Sequence, residues 1–310
     1  MKNKNILVTG GAGFIGSNLV SHLIADNNSV TVLDNFMSGY RSNLDSFPGI
    51  NIIEGDIRDK NAVEKAMHGA EVVFHLAASV GNKRSIDQPI LDAEINVIGT
   101  LQVLEAARKK GVRKIVTSSS AGIFGELKTI PIKEDHPIEP DSPYGCTKLC
   151  EEKLCLSYAK LYDIEAVCLR YFNVYGPNQR FDAYGNVIPI FVFRMIRNEP
   201  IIIYGDGEQT RDFVHVDDVV QANIKAADSI GVNGAFNIAS GKRVTINRLV
   251  DIITRGNSTK IKIEHSPERP GDVRHSLADL SLALEKINYT PTVDFERGIE
   301  QYVKWARTII

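Results

Sequence analysis

Short apolar runs alternate with helix-like repeats along the first half of the chain. Residues 6–9 are apolar and mostly β-branched, which predicts a buried strand, and apolar residues at helical spacing follow in 14–25. The same alternation continues to residue 170. The predicted strands are 6–9, 30–33, 51–54, 71–76, 114–117 and 165–170, and the predicted helices between them are 14–25, 59–67, 90–110 and 144–162. Strands and helices in this order predict an α/β fold with a Rossmann-type doubly wound parallel sheet.

The pattern becomes less regular after residue 173. Helices are predicted at 188–197, 217–228, 247–254 and 295–305, between clusters of turn-forming residues. We therefore predict a Rossmann domain over 1–172 and a smaller C-terminal α/β lobe over 173–310, between which segments can be exchanged. In open parallel sheets ligands gather at the carboxyl ends of the strands, so the site is expected at that edge.

The composition is that of an ordinary soluble globular protein. The chain has 310 residues, of which 43% are hydrophobic and 24% charged, and this length is sufficient for one large core or two lobes. A net charge of −2 provides no basic field, which argues against nucleic acid or a membrane surface as partner. The four cysteines lack metal-ligand spacing, so we expect reduced thiols, no metal site and a cytoplasmic protein. We also expect no signal peptide and no membrane-spanning segment.

A glycine-rich loop joins the first predicted strand to the first predicted helix. Residues 10–16 read Gly-Gly-Ala-Gly-Phe-Ile-Gly, and Asp34 follows the second strand about twenty residues later. Glycines allow a tight turn and a close approach of backbone N–H groups to a pyrophosphate, to which the helix N-terminus adds partial positive charge. An acid after the second strand accepts the ribose hydroxyls and repels a 2′-phosphate. The loop and Asp34 together predict a dinucleotide site that favours NAD over NADP, whereas the glycines alone would fit any tight turn.

A tyrosine and a lysine lie four residues apart on a predicted helix. Tyr144 and Lys148 therefore project from one face, and the ammonium is expected to lower the high pKa of the phenol. The predicted strand 114–117 ends at three serines, 118–120, which supply a hydroxyl for the same substrate oxygen. These groups together would remove a proton from an alcohol while a hydride leaves its carbon. An isolated Tyr/Lys pair would more often be a surface feature, but the nucleotide loop favours the catalytic interpretation.

The set of motifs resembles that of extended short-chain dehydrogenases/reductases of the NAD-dependent epimerase/dehydratase group. The resemblance covers nearly the whole chain and depends on residues 10–16, 34–35, 55–57, 75–78, 118–120, 144–148 and 169–177. It implies that NAD is the cofactor, that Ser120 is the catalytic hydroxyl, that Tyr144 is the base, and that Lys148 activates it. It also implies that Asp56 and Ile57 lie near adenine. The residues implied in NAD binding are Gly10, Gly13, Phe14, Ile15, Gly16, Asp34, Asn35, Asp56, Ile57, Leu76, Ala77, Ala78, Asn96, Ser118, Tyr144, Lys148 and Tyr171.

The C-terminal half resembles the substrate side of the same family. Residues 203–218 resemble its UDP-sugar segment, and residues 269–276 resemble its last binding loop. The resemblance implies that Arg211 and Arg269 bind the diphosphate, as arginine forks do, and that Asp272 binds the uridine ribose. The residues implied in substrate binding are Arg84, Ser85, Ser120, Tyr144, Asn173, Val187, Tyr204, Arg211, Arg269, Asp272 and Ser276.

Two positions distinguish among the reactions of the group. Sugar dehydratases carry an Asp-Glu pair after the catalytic hydroxyl, whereas this chain has Ala121-Gly122 and so lacks the acid and base for elimination of water. The same stretch resembles UDP-hexose 4-epimerases, in which C4 is transiently oxidised. Ser276 matches a position where a tyrosine restricts some members to UDP-glucose, and serine leaves room for a 2-acetamido group. The resemblance favours a UDP-N-acetylglucosamine 4-epimerase, with the UDP-glucose/UDP-galactose pair as further substrates.

Two alternatives to this activity remain, and the assembly can also be predicted. Arg84 is an arginine expected near the sugar, which leaves open a UDP-glucuronate decarboxylase or 4-epimerase. A regulator that binds NAD and a nucleotide sugar without turnover is the second alternative, and the intact set of Ser120, Tyr144 and Lys148 argues against it.

The helices predicted over 90–110 and 144–162 resemble those that pair in dimers of the family, so we expect a homodimer.

Overall fold

A parallel sheet of seven strands forms the centre of the molecule. The computed structural model describes residues 1–179, 181, 186–255, 257, 259–268 and 273–309. The strands in chain order are β1 Asn5–Thr9, β2 Ser29–Asp34, β3 Asn51–Glu54, β4 Val72–His75, β5 Lys114–Ser120, β6 Glu165–Tyr171, β7 Asn173–Tyr175, β8 Ile201–Tyr204, β9 Thr210–Arg211, β10 Phe213–His215, β11 Gly234–Ile238, β12 Val244–Thr245 and β13 Ile263–Ser266. The large sheet has the order β3-β2-β1-β4-β5-β6-β11, and all its neighbouring strands are parallel. The predicted doubly wound sheet is confirmed, and its strand order reverses between β1 and β4.

Helices cover both faces of the large sheet. They are α1 Phe14–Ala25, α2 Lys60–Ala66, α3 Asn82–Asp87, α4 Pro89–Ala93, α5 Thr100–Lys110, α6 Pro143–Leu161, α7 Val187–Ile196, α8 Val216–Asp228, α9 Ile246–Thr254, α10 Ser281–Ile287 and α11 Phe295–Ala306. Side chains alternate along each strand, so Ile6 and Val8 pack in one apolar layer with α1 and α8, while Leu7 packs in the other with α2 and α5. Burial on both faces explains why the strands are apolar without interruption.

The C-terminal lobe has its own apolar core and its own short strands. Phe191 of α7, Leu249 of α9 and Ile299 of α11 pack together there with Ile201 of β8. β8 pairs with β13 and β7 pairs with β10, both in parallel, and β9 pairs with β12 antiparallel. Because β7 begins two residues after β6 ends, the chain passes directly from the carboxyl end of β6 into this lobe.

The helix predicted over 90–110 is present but changes its winding. It consists of α4, a π-helical turn at Glu94–Gly99, and α5, and it ends as predicted at Gly111, which has φ +70°. Gly99 lies so close to Ile57 that an added Cβ would come within 2.5 Å of the Ile57 side chain. A π turn accommodates one additional residue without a break in the apolar pattern, so the sequence carries no signal for it.

The sequence predicts neither the edge strand β11, nor the other strands after residue 171, nor the short helices α3 and α10. Each of these elements has seven residues or fewer. β11 exists because it completes the sheet beside β6, a partner more than sixty residues earlier. α8 and β11 thus lie with the large sheet, although they come from the C-terminal half. The boundary after residue 172 stays a prediction, together with the exchange of segments that accompanied it.

Candidate active site

The loop between β1 and α1 forms a cradle that requires glycine. Gly10 has φ +70°, and a Cβ there would lie 2.7 Å from the backbone nitrogen of Ala77. A Cβ on Gly16 would lie 2.1 Å from the carbonyl oxygen of Gly10. Gly13 precedes α1 and provides no side-chain cap, so the N–H groups of the first turn, which contains Phe14 and Ile15, are left for an anion. The cradle and the uncapped helix therefore fit the pyrophosphate of a dinucleotide.

Asp34 joins the glycine loop to the segment after β2. Its Oδ2 accepts a hydrogen bond from the N–H of Ala12 at 2.9 Å, and its Oδ1 accepts one from the N–H of Phe36 at 2.8 Å. Burial raises the pKa of Asp34, and these two N–H groups act in the opposite direction. The carboxylate keeps lone pairs that can accept ribose hydroxyls, and the preference for NAD over NADP stays a prediction.

Asn35, Asp56 and Ile57 lie together at the carboxyl ends of β2 and β3. The Asn35 amide donates to Asp56 at 2.8 Å, and the Arg58 guanidinium donates to the same carboxylate at 2.9 Å. The bond from Arg58 lowers the pKa of Asp56 to about 2, so this carboxylate is charged at neutral pH. The structure thus assembles a polar rim at the place where the family resemblance puts adenine.

Ser120 and Tyr144 meet where the end of β5 contacts the start of α6. The Ser120 Oγ accepts a hydrogen bond from the N–H of Gly122 at 3.1 Å, and it lies close enough to the Tyr144 hydroxyl to act on its pKa. α6 starts at a Ser142 cap, and the next turn lies so close that a Cβ on Gly145 would be 2.5 Å from the carbonyl oxygen of Gly122. This backbone contact leaves little freedom between the two elements, so the two hydroxyls are held in a fixed relation.

The pKa of Tyr144 is set by opposing effects. Burial raises it, whereas the Lys148 ammonium and the bond with Ser120 act to lower it. The effect of Lys148 has the predicted sign, but the net direction is upward because withdrawal of the phenol from water outweighs the nearby cation.

Lys148 is buried beneath Tyr144 and held on two sides. Its side chain is 1% exposed, and its Nζ lies 2.5 Å from Glu151 Oε2 and 3.3 Å from Ser118 Oγ. Tyr144 and Lys148 share a helical face as predicted. The structure therefore brings Ser118, Ser120, Tyr144 and Lys148 together at the end of β5.

Asn96 and Tyr171 use their polar atoms within the protein. The Asn96 Oδ1 accepts from the N–H of Ser79 at 2.7 Å, and its Nδ2 donates to the carbonyl oxygen of Ser79 at 3.0 Å. These bonds fix the loop that continues from Leu76, Ala77 and Ala78, which borders the glycine cradle. The Tyr171 hydroxyl bonds to Asn223 on α8, in the core. Contact of either side chain with the cofactor stays a prediction.

A cleft of about 350 Å³ opens in the C-terminal lobe. Four predicted substrate residues line it, namely Asn173, Val187, Tyr204 and Arg211. Its walls also contain the apolar side chains Phe191, Phe213 and Ile246. A cleft whose walls combine apolar side chains with polar and charged groups can hold a small molecule.

The loop that carries Ser276 is fixed against β9. Ser276 is 8% exposed, and its N–H donates to the carbonyl oxygen of Thr210 at 3.2 Å, next to Arg211. The Asp212 carboxylate accepts from the N–H of Ala278 at 3.1 Å, which fastens the loop a second time. The predicted residues Arg269 and Asp272 lie outside the described residues.

Arg84 and Ser85 lie on α3, at the side of the site. Ser85 is fully buried and its hydroxyl donates to the carbonyl oxygen of Asn82 at 2.8 Å, while Arg84 is half-buried. The Ser142 hydroxyl donates to Asn82 Oδ1 at 3.1 Å, so α3 is joined to the start of α6. Their substrate contacts stay predictions.

Two side chains that the sequence did not single out also belong to this region. Glu151 pairs with Lys148, and the Gln209 Oε1 is buried in the second-lobe cleft without a hydrogen-bond partner among the described residues. The sequence does not reveal that either is buried, because burial depends on elements distant in sequence. Within the described ranges no cluster of potential metal ligands is found. None of the helices there is long and apolar enough to cross a membrane.

Comparison with known proteins identifies the family. The model of the NAD-dependent epimerase/dehydratase family matches residues 6–239. A putative UDP-glucose 4-epimerase of Methanocaldococcus jannaschii is 41% identical, over 97% of this chain and 98% of the relative. A UDP-N-acetyl-alpha-D-glucosaminuronate decarboxylase of Bacillus cytotoxicus is 35% identical, over 99% of this chain and 98% of the relative. The solved UDP-N-acetylglucosamine 4-epimerase of Methanobrevibacter ruminantium, in complex with UDP-N-acetylmuramic acid, has a TM-score of 0.95 and 40% identity, with full coverage of both chains.

The family match agrees with the geometry of the site. The matched residues include the glycine cradle and the group formed by Ser120, Tyr144 and Lys148. The chain belongs to the NAD-dependent epimerase/dehydratase family and uses NAD as its cofactor.

Proposed function

We propose that the protein is a UDP-N-acetylglucosamine 4-epimerase, which interconverts UDP-N-acetylglucosamine and UDP-N-acetylgalactosamine. The observation that carries the proposal is the small, buried Ser276, held next to β9 and its Arg211. A serine there leaves space for an acetamido group beside a cation suited to a diphosphate. The 40% identity with a UDP-N-acetylglucosamine 4-epimerase over the full chain supports the choice. UDP-glucose and UDP-galactose would fit the same space as smaller substrates.

The proposed reaction uses the group at the end of β5. NAD, when bound, supplies the carbon that accepts the C4 hydride and later returns it. Tyr144 accepts the proton of the C4 hydroxyl, and Ser120 donates a hydrogen bond to the same oxygen. Lys148 provides the positive charge that favours the phenolate. After the keto-sugar turns over, Tyr144 returns the proton, so neither protons nor electrons are consumed overall.

The turn after Ser120 favours epimerisation over loss of water. A Cβ on Gly122 would lie 3.3 Å from Ser120 Oγ and 3.7 Å from the Tyr144 ring. A side chain at residue 122 would therefore lie against both reacting groups, and glycine places none there. Ala121 and Gly122 supply neither the acid nor the base that elimination requires.

The test is a conversion assay with UDP-N-acetylglucosamine, UDP-glucose and UDP-glucuronate, read by product mass and sugar configuration. We expect UDP-N-acetylglucosamine to give its C4 epimer at unchanged mass, without consumption of added NAD. Loss of carbon dioxide from UDP-glucuronate would instead support the decarboxylase that Arg84 left open. Binding of NAD and a UDP-sugar without any conversion would support the regulator.

A further inference from the structure

A buried carboxylate lies directly behind the lysine of the site. Glu151 is one turn after Lys148 on α6, and both side chains are 1% exposed. The Glu151 Oε2 lies 2.5 Å from the Lys148 Nζ, and its Oε1 accepts a hydrogen bond from the Thr117 hydroxyl of β5 at 2.6 Å. We propose that Glu151 is a positioning residue for Lys148, which keeps the buried amine protonated and fixes its direction. The assignment rests on the proposed role of Lys148 in the reaction.

The neighbouring carboxylate, Glu152, belongs to a different ion pair from that of Glu151. Glu152 is also buried, but it pairs with Arg170 at 2.8 and 3.0 Å and accepts a hydrogen bond from Ser119 at 2.7 Å. Its charge is therefore matched by a different cation, on β6. Lys148 and Glu151 form a second buried pair, whose cation is the one that faces Tyr144.

The ion pair determines where the ammonium can point. A lysine ammonium has three N–H groups. One donates to Glu151, and one donates to Ser118 at the end of β5. The third is used by neither of these partners. Glu151 thus fixes the direction of the ammonium whose charge acts on Tyr144.

The pair also determines whether the amine is charged. A buried ammonium without a counterion loses its proton, because a charge in an apolar interior is costly. Burial acts to lower the pKa of Lys148, but the Glu151 carboxylate raises it above its usual range. Burial raises the pKa of Glu151, and the ammonium and the Thr117 hydroxyl oppose that rise. A neutral Lys148 would no longer stabilise the Tyr144 phenolate.

Other titratable groups also surround the pair. On α6 they are Tyr144, Cys150, Glu152 and Cys155, on β4 His75, on β6 Cys168 and Tyr171, and on α4 Asp92, which acts on Tyr144. His75 is buried and its pKa is lowered to about 3, so it is neutral at the pH of interest. Loss of the Glu151 charge is therefore the change that most directly leaves the buried Lys148 ammonium without a counterion.

The variant Glu151→Gln tests the proposal, since it keeps the shape and removes the charge. We expect the alkaline limb of kcat to move by about one pH unit or more toward lower pH, with KM for the UDP-sugar unchanged. Glu151→Asp, which keeps the charge, should restore most of the wild-type profile. Glu105→Gln removes a carboxylate from the outside of α5, where it pairs with Arg108, and should leave the limb in place. An unchanged alkaline limb in Glu151→Gln would overturn the proposal.

A second readout needs neither sugar nor turnover. NMR of isotope-labelled lysine, with the Lys148 signal assigned by its loss in Lys148→Met, should show Lys148 titrating at lower pH in Glu151→Gln. In unfolding experiments Lys148→Met with Glu151→Gln should cost less than the sum of the two single changes, since each alone leaves an uncompensated buried group. Additive costs and an unmoved lysine signal would refute the pairing. Both readouts hold whichever UDP-sugar is the substrate, so failure of the proposed function is detected separately.

Discussion

Tyr144 contributes one atom to the proposed chemistry, its phenolic oxygen. Tyr144→Phe keeps the ring against Gly122 and removes that oxygen together with its interaction with Ser120. We expect turnover to fall by roughly 10²–10⁴-fold, the usual contribution of a general base, with little change in UDP-sugar affinity. Steady-state kinetics and a direct binding titration check the two expectations. Turnover close to the wild-type rate would remove Tyr144 from the mechanism.

Ser276 is the residue that should set the substrate. Ser276→Tyr places a rigid ring in a loop that the backbone bond to Thr210 holds in position, so the ring and an acetamido group would compete for one space. Overpacking typically costs about 1–3 kcal/mol, which predicts roughly a tenfold to a hundredfold loss of kcat/KM for UDP-N-acetylglucosamine. UDP-glucose should lose much less, since it has only a hydroxyl at C2.

The ratio of the two kcat/KM values is the measurement, because discrimination is a difference in transition-state binding. Ser276→Ala serves as the matched control and should leave the ratio near that of the wild type. Equal losses for both sugars would indicate damage to the loop or the shared diphosphate site. Unchanged values for both would place Ser276 away from the sugar.

The residues of the site differ in how well the sequence predicted them. The Tyr144/Lys148 pair was predictable because one helical turn relates them locally. Glu151 lies one turn after Lys148, but the sequence does not reveal that the pair is buried against Thr117 of β5, more than thirty residues away. Asn96 was assigned to the cofactor by resemblance, whereas its amide atoms bond to Ser79. Patterns of residue type predict reacting groups better than they predict the partners that hold them.

At the scale of elements, His75 joins two strands and a helix. Its Nδ1 lies 2.8 Å from the Thr9 hydroxyl of β1, and its Nε2 lies 3.0 Å from the Thr100 hydroxyl of α5. Thr100 donates its own proton to the carbonyl oxygen of Asn96 at 2.6 Å, so Nε2 donates to Thr100. Burial disfavours a second proton on the ring, and in the neutral ring Nδ1 accepts from Thr9. Burial, with a smaller effect of Lys148, lowers its pKa to about 3.

This histidine predicts a loss of stability in mild acid. An unfolded histidine has a pKa of about 6.5, so below that pH the unfolded chain binds a proton that the folded ring does not. The free energy of unfolding should fall from about pH 6.5 toward pH 3. Urea unfolding at several pH values should show a weaker dependence in His75→Gln, and no such change in His68→Gln, which alters an exposed histidine. An equal pH dependence of the unfolding free energy in the wild type, His75→Gln and His68→Gln would contradict the assignment of His75 as a neutral buried ring.

Long periodic elements were predicted more accurately than short or irregular ones. Helix α1 has the predicted bounds because its apolar face and the preceding glycine turn are local features. The π turn at Glu94–Gly99 has no such signature, since Ile57 and Gly99 meet only in the folded protein. β11 is a strand through its pairing with β6, which a local pattern does not contain.

At the scale of the whole molecule, the glycine cradle and the cleft lie in two different regions of the fold. The glycine cradle and the Ser120 group lie at the carboxyl ends of the strands, whereas the cleft lined by Arg211 lies in the C-terminal lobe. β7 and its partner β10 connect the two regions. We propose that 1–172 mainly hold the cofactor and 173–310 the nucleotide sugar, with α8 and β11 as the exchanged segments.

Three exposed isoleucines on one outer face suggest a contact with a second copy of the chain. Ile86, Ile90 and Ile98 are 63%, 73% and 48% exposed, on α3, α4 and the π turn. Ile90 and Ile98 are eight residues apart, which is slightly more than two turns of a regular helix with 3.6 residues per turn. The π turn between them contains more residues per turn and compensates for this excess, so the two side chains lie on the same side. We propose that this apolar face pairs two copies of the chain. It includes the start of the helix 90–110, one of the two helices that the family resemblance associates with a homodimer.

Light scattering at micromolar concentration should therefore give twice the chain mass of 34.2 kDa. Ile90→Lys combined with Ile98→Lys places two like charges on the proposed contact, where they would be desolvated and would face the same charges of the second copy. We expect this variant to scatter as a species near 34.2 kDa with an unchanged far-ultraviolet dichroism spectrum. Ile230→Lys is the matched control, because Ile230 is 84% exposed but lies between α8 and β11, away from this face. A wild-type mass near that of one chain would exclude the homodimer, and a double variant that stays dimeric would move the contact to another surface.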